Sequence, residues 1–293
     1  MQREQTPVQR IAADFAQSKL ALAGLATLTL ILLVALFAPL ISPQNPYDLA
    51  QLDVQDSRLP PGAKAGSGLT FWLGSDDQGR DILSGIFYGL RISLLVGATS
   101  TLCAVLIGLT LGLAAAYLGG RTESFIMRAV DIQLSFPAIL IALILLALLG
   151  QGIGKTIFAL IMVQWAYYAR TVRATALIER GKEYIEAAKG LALPPARIVL
   201  RHLLPNCLPP LFVIATVQVA AAIALEATLS YLGIGVPITE PSLGLLIKNG
   251  FDYMLSGNYW ISFFPGLALV LTIVSINLVA DQLRDVLNPR LQK

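Results

Sequence analysis

Few residues in this chain are placed to do chemistry. The only histidine is His202, so neither a histidine metal site nor a serine–histidine–acid triad can be assembled from the chain alone. Cys103 and Cys207 stand in or beside apolar stretches without C-x-x-C spacing, and read as packing thiols. Gly150 to Thr156 comes close to a phosphate loop but does not spell Gly-x-x-x-x-Gly-Lys-Ser/Thr, and no strand precedes it. It reads as a turn, so no ATP hydrolysis, cofactor or metal is expected of this chain itself. Two features remain. Glu226 stands alone in a long apolar run. An acid at mid-membrane costs about 2.5–3.5 kcal/mol on insertion scales, so it must face water or a partner. It is either a pore or gate residue or a hydrogen-bonded acid at a helix interface. The second feature is the charged, proline-broken segment from Glu183 to Asn206.

The elements that position these residues follow from composition. Of 293 residues, 56% are apolar and 13% charged, against roughly 25% charged in soluble domains. Too little polar surface is left to solvate a globule of this size, so the main solvent is lipid. The net charge of +3 is too small to indicate a nucleic-acid partner. An all-α, polytopic membrane fold is expected. Apolar runs of about 20 residues place spans at 20–41, 92–118, 124–149 (with Pro137 as a kink), from Pro209-Pro210 to Tyr231, and at 261–280. Gly97, Gly108 and Gly112 suit close helix packing in lipid.

A further span at 156–169 is short, and charge asymmetry arbitrates. With six spans and both termini inside, the inner segments hold 15 of the 21 Lys and Arg residues; deleting this span inverts the balance. The organisation expected is an inner segment 1–19, an anchor 20–41, an outer loop and short helix 42–90, and a core 91–293. The core carries five spans and the inner loop 183–206. Ser75 is expected to cap the outer helix, with Asp76 and Asp77 at its positive end. Asp131 is expected to pair with Arg128. Trp72, Trp165, Tyr167, Tyr168, Tyr259 and Trp260 are expected to form an interfacial belt.

Within the inner loop, Glu183 to Ala192 has helical periodicity, with Tyr184, Ile185, Ala188 and Leu191 on one face. Pro194-Pro195 breaks it, and Ala196 to Leu204 forms a second short helix on which Arg197 and Arg201 share a face. This stiff elbow either rests on the anionic inner leaflet or docks into a groove on a soluble partner.

Glu186-Ala187-Ala188, followed by Ile198, Leu204 and Pro205, resembles the EAA loop of ABC importer permeases. Leu73 to Asp81 resembles the Leu-Gly-Thr-Asp-x-x-Gly-Arg-Asp signature of the dipeptide, oligopeptide and nickel branch, in its C-type subunit. Leu232 to Pro237 and Leu283 to Pro289 also match that branch, and the resemblance runs from about residue 20 onward. It implies a non-catalytic permease of the type I importer fold in a bacterial inner membrane, with six spans and cytoplasmic termini. It implies that the elbow docks on an ATP-binding subunit through Glu183, Glu186, Ala187, Ala188, Gly190, Ala192, Arg197, Ile198, Arg201 and Pro205. It also implies partners: a second permease, usually as a heterodimer, two ATP-binding subunits holding ATP and Mg, and a periplasmic or surface solute-binding protein. The cargo would be peptides or related small solutes such as nickel or metal chelates. The chain departs from the pattern once, where the usual glycine after Leu191 is Ala192. Rival readings are a secondary transporter, for which the inverted repeats and broken mid-membrane helices are missing, an intramembrane enzyme, and an exporter.

Overall fold

The computed structural model describes residues 13–287. Residues 1–12 of the expected inner N-terminal segment, and Asn288 and Pro289 of the last motif, lie outside the described residues. Helix α1 (Lys19–Ile41) is capped by the Ser18 hydroxyl, which accepts from the Ala21 N–H at 3.2 Å. Its 23 residues rise about 34 Å, enough to cross a bilayer. A narrow stripe of Ala21, Gly24, Ile31, Ala35 and Ala38 is buried, while Leu20, Leu30, Leu36 and Leu40 face outward.

The second helix, α2 (Ile82–Leu118), starts ten residues before the expected Ile92 and absorbs the short outer helix. Its cap is Asp81 rather than Ser75. One Asp81 carboxylate oxygen accepts from the Ser84 N–H at 2.9 Å and the Ser84 hydroxyl at 2.6 Å. The Ser75 hydroxyl is engaged elsewhere: it donates to the Asp56 carbonyl at 2.5 Å and accepts from the Leu59 N–H at 2.8 Å. Asp76 and Asp77 therefore lie in a folded loop, in which Asp76 accepts from the N–H groups of Gln78 and Arg80. Burial pushes the Asp76 carboxyl up to about 6. Gly79 (φ +77°) is required here, because a Cβ would lie 2.1 Å from the Asp53 carbonyl oxygen. A two-residue ladder, β1 (Ala63–Lys64) with β2 (Thr70–Phe71), completes this cap.

The expected third span is two helices, α3 (Gly120–Ser135) and α4 (Ala138–Leu149), bent by 93° across Phe136-Pro137. Proline biases its predecessor toward extended backbone, and Phe136 is extended. Asp131 pairs with Arg170 at 2.5 Å, not with Arg128, and Arg173 pairs with Glu123. These two bridges pin α3 to α5 (Ile153–Arg180). Helix α5 packs along α2, where Gly108 and Gly112 allow backbone approach. A Cβ on Gly108 would sit 2.4 Å from the Tyr168 Cβ and 2.7 Å from the Trp165 carbonyl oxygen.

The remaining helices are α6 (Glu183–Gly190), α7 (Pro195–Tyr231), α8 (Leu243–Phe251) and α9 (Trp260–Leu287). Helices α1, α2, α7 and α9 are long and apolar enough to cross a membrane, and α3 with α4 makes a fifth if the bent pair is one span. The expected fourth span, 156–169, falls within α5, which is about 42 Å long but too polar to be recognised as a span by composition. The aromatic belt is only partly realised. Trp72, Tyr167 and Tyr259 are exposed, whereas Tyr168 and Trp260 are core residues. The Trp260 indole N–H donates to the Ser75 carbonyl at 3.3 Å, tying α9 to the capping loop. Of the two thiols, Cys207 is packed in the core, while Cys103 lies on an exposed face of α2.

Candidate functional site

The elbow lies where the C-terminal end of α2 meets α5 and α7. Helix α6 is amphipathic over two turns, and it buries Ile185 and Ala188 while Glu183, Glu186, Ala187 and Gly190 are exposed. Ile185, Ala188, Ile198 and Leu203 share one apolar cluster with Leu113 and Ala116 of α2, Tyr168, Val172 and Ala176 of α5, and Leu211 of α7. Each large side chain buried this way contributes about 1.5–3 kcal/mol. The elbow is thus packed onto the long helices rather than resting beside them.

Polar groups reinforce that seat. Glu179 at the end of α5 accepts from Lys182 Nζ at 2.6 Å and from the Tyr184 hydroxyl at 2.7 Å. Asn206 of α7 donates to the Tyr184 hydroxyl at 3.2 Å and to the His202 carbonyl at 2.7 Å. Burial raises the Glu179 carboxyl, but its bonds to Lys182 and Tyr184 outweigh that and hold it below the usual carboxylate range. Arg180 donates to the Ala116 carbonyl at 2.7 Å, satisfying a carbonyl in the last turn of α2.

The second half of the elbow differs from the sequence expectation. It is not a separate short helix, because Pro195 opens a run continuous through Tyr231, so the helix that carries the fifth span begins fourteen residues before Pro209. Residues Val199–Leu203 form a π turn, closed by the Leu204 N–H donating to the Val199 carbonyl. Pro205 follows directly and has no N–H to offer, so the wide turn ends where the ordinary helical bond cannot form. Arg197 and Arg201 are exposed, and among the described residues neither has an ion-pair partner. Ile198 is buried and Pro205 exposed.

Between the halves the chain turns at Ala192. Helix α6 closes with the Ala192 N–H bonding to the Lys189 carbonyl at 2.9 Å and the Leu193 N–H to the Ala188 carbonyl at 3.2 Å. That pair of bonds is a Schellman motif, which wants a left-handed residue. Ala192 supplies it at φ +55°, one of two non-glycine residues with positive φ among the described residues. Gly190 is an ordinary helical residue. The turn therefore sits at the position where the family pattern carries glycine, and Pro194-Pro195 follows it.

The exposed surface carries more than the charged residues singled out in the sequence. Leu191 and Leu200 are 76% and 62% exposed. Leu191 and Tyr184 were expected on the buried face, but only Ile185 and Ala188 occupy it. Apolar residues carry no local mark that separates a core contact from a contact with another molecule.

Glu226 lies far from the elbow and is fully buried. Its two carboxylate oxygens accept from the Ser93 hydroxyl of α2 at 2.8 Å and the Ser230 hydroxyl at 2.7 Å. This is the geometry of an acid held at a helix interface, inside the subunit. On the elbow side a cavity of about 790 Å³ opens along α7, bounded by Pro209, Pro210, Val213, Val217, Gln218 and Arg284. In the near-phosphate-loop run, Gly150 to Gly152 form the turn between α4 and α5 and Ile153 to Thr156 open α5; the Gln151 side chain donates to the Gly233 carbonyl at 2.6 Å.

Residues 108–293 match the family described as binding-protein-dependent transport system inner membrane component. Residues 6–61 match the N-terminal TM domain of oligopeptide transport permease C. The chain is 36% identical to the di/tripeptide transport system permease protein DppC of Pseudomonas aeruginosa, over 98% of this chain and 93% of that protein. It is 38% identical to the dipeptide transport system permease protein DppC of Escherichia coli, over 98% and 95%. Among solved structures it resembles the MetNI methionine ABC transporter in inward-facing conformations. That match has a TM-score of 0.57 at 22% identity and covers 71% of this chain and 98% of the matched one.

Proposed function

Because this chain belongs to the family of binding-protein-dependent transport system inner membrane components, we propose that it is a non-catalytic permease subunit of an ATP-driven importer. Its cargo is dipeptides and related short peptides, by analogy with relatives named as di/tripeptide and dipeptide permeases. It works with a second permease, two ATP-binding subunits that hold ATP and Mg, and an external solute-binding protein. The elbow 183–206 faces the cytoplasm of a bacterial inner membrane and docks on an ATP-binding subunit. Six spans, with α5 as the fourth, put both termini on that same side, and the arginine excess of the elbow side supports this orientation.

The single observation that carries the coupling role is the common core of the elbow and α2, α5 and α7. A projection packed to that density does not move independently of the helices it sits on. Displacement of α6 by a closing pair of ATP-binding subunits then tilts α7 and the cavity beside it. The pore shifts between outward-open and inward-open states, a two-state equilibrium biased by nucleotide. Exposed Leu191 and Leu200 supply the apolar contact, and Glu183, Glu186, Arg197 and Arg201 its polar rim.

A thiol introduced as Ala187→Cys, in a Cys103→Ser background, tests this. It is expected to react with a membrane-impermeant maleimide only from the inner side, and to be shielded when the ATP-binding subunits are present. Labelling from outside, or equal labelling with and without those subunits, would remove the docking role.

A further inference from the structure

At the end of α2 opposite the elbow lies a second cavity, of about 450 Å³, walled by Asn45, Tyr47, Tyr88, Arg91, Ile153 and Glu240. That volume falls in the range of small-ligand sites. Its two charges are of opposite sign and come from different elements. Arg91 stands one turn after Tyr88 on α2, and Glu240 stands in the loop before α8. Among the described residues neither has an ion-pair partner within 4.0 Å, and they do not neutralise each other. Two opposite charges that share a cavity unpaired leave room for a ligand carrying both signs.

The walls are held in place. The Tyr47 ring lies 5.3 Å from the Arg80 guanidinium and 6.2 Å from the Tyr88 ring, and the Tyr47 backbone N–H donates to the Asn45 side-chain oxygen at 3.2 Å. The Glu240 N–H donates to the Pro237 carbonyl at 2.9 Å, and Pro241 fixes the backbone that follows. An extended di- or tripeptide spans about 7–10 Å.

We propose that this cavity binds the free termini of a short peptide, its α-carboxylate on Arg91, its α-ammonium on Glu240, and its side chains against the two tyrosines. This deepens the peptide-import reading and rests on it. Arginine offers a carboxylate two parallel donors, and aromatic walls accept many side chains, so the site reads peptide ends rather than sequence.

The test uses the whole complex in lipid nanodiscs with Tyr88→p-benzoylphenylalanine and radiolabelled Ala-Ala. Irradiation is expected to label the permease with peptide. Unlabelled Ala-Ala should compete at least tenfold better than its N-acetyl or C-amide derivatives. Arg91→Gln should abolish only the discrimination against the amide and Glu240→Gln only that against the N-acetyl form, with Arg91→Lys restoring the first. Equal competition by all three peptides, or an adduct to the solute-binding protein in place of the peptide, overturns the site. Dipeptide uptake by the same complex in proteoliposomes separates the two levels. Uptake without a peptide adduct removes this site alone, and no uptake of any peptide removes the import reading with it.

Discussion

Replacing Ala192 by glycine is expected to stabilise the elbow. At φ +55° the alanine Cβ crowds its own backbone, which costs roughly 1–2 kcal/mol for an L-residue. Glycine removes that cost but adds about 0.5–1 kcal/mol of backbone entropy lost on folding. Ala192 is exposed, so no buried surface is forfeited. The net gain is about 0.5–1 kcal/mol, or a two- to fivefold shift in the local opening equilibrium. Hydrogen exchange reads it directly: the Ala192 and Leu193 amides close the Schellman motif, and their exchange should slow by that factor in Ala192→Gly. Ala192→Val should accelerate it, because a β-branched residue tolerates the left-handed region less well. Unchanged or faster exchange in the glycine variant would show that the turn is not left-handed in solution, and the reasoning would fail.

Gly108→Val should prevent α2 and α5 from closing, since even a Cβ meets the α5 backbone at 2.7 Å; the readout is loss of monodisperse protein after solubilisation. Glu226→Ala leaves the buried Ser93 hydroxyl without its acceptor and should cost about 1–3 kcal/mol. Glu226→Gln keeps an acceptor and should cost less, and thermal melting ranks the two. Asp76 has its folded pKa raised to about 6, so its contribution is full below the ordinary aspartate range and is lost as pH rises through about 6. Wild-type melting temperature should therefore fall between about pH 4 and 6 and level off above that, and Asp76→Asn should flatten that fall.

The legible parts of the fold were those set by local chemistry. Glycines at 97, 108 and 112 marked the close helix contacts, and Pro194-Pro195 marked the elbow's break. Pairings over long sequence distance were not legible. Ser75 has the side chain of a cap, but Asp56 and Leu59 take its hydroxyl, and Asp81 caps the helix instead. Asp131 had a plausible partner one turn away, yet Arg170 on the next long helix reaches it. Pro137 announced a bend without its size, because the 93° angle depends on what α3 and α4 pack against. Trp260 looked interfacial and is buried, since the capping loop folds over it. At the elbow, Leu191 stands outside the buried face for a related reason: the sequence alone does not separate an apolar residue that packs inward from one that meets another molecule.

Glu186 is exposed and, among the described residues, makes no ion pair, so Glu186→Lys should leave folding and membrane insertion intact. ATP-driven dipeptide uptake by the reconstituted complex carrying that variant tests the coupling role most directly. The docking role predicts at least a tenfold drop in uptake at unchanged melting temperature. Uptake at the wild-type rate would contradict it.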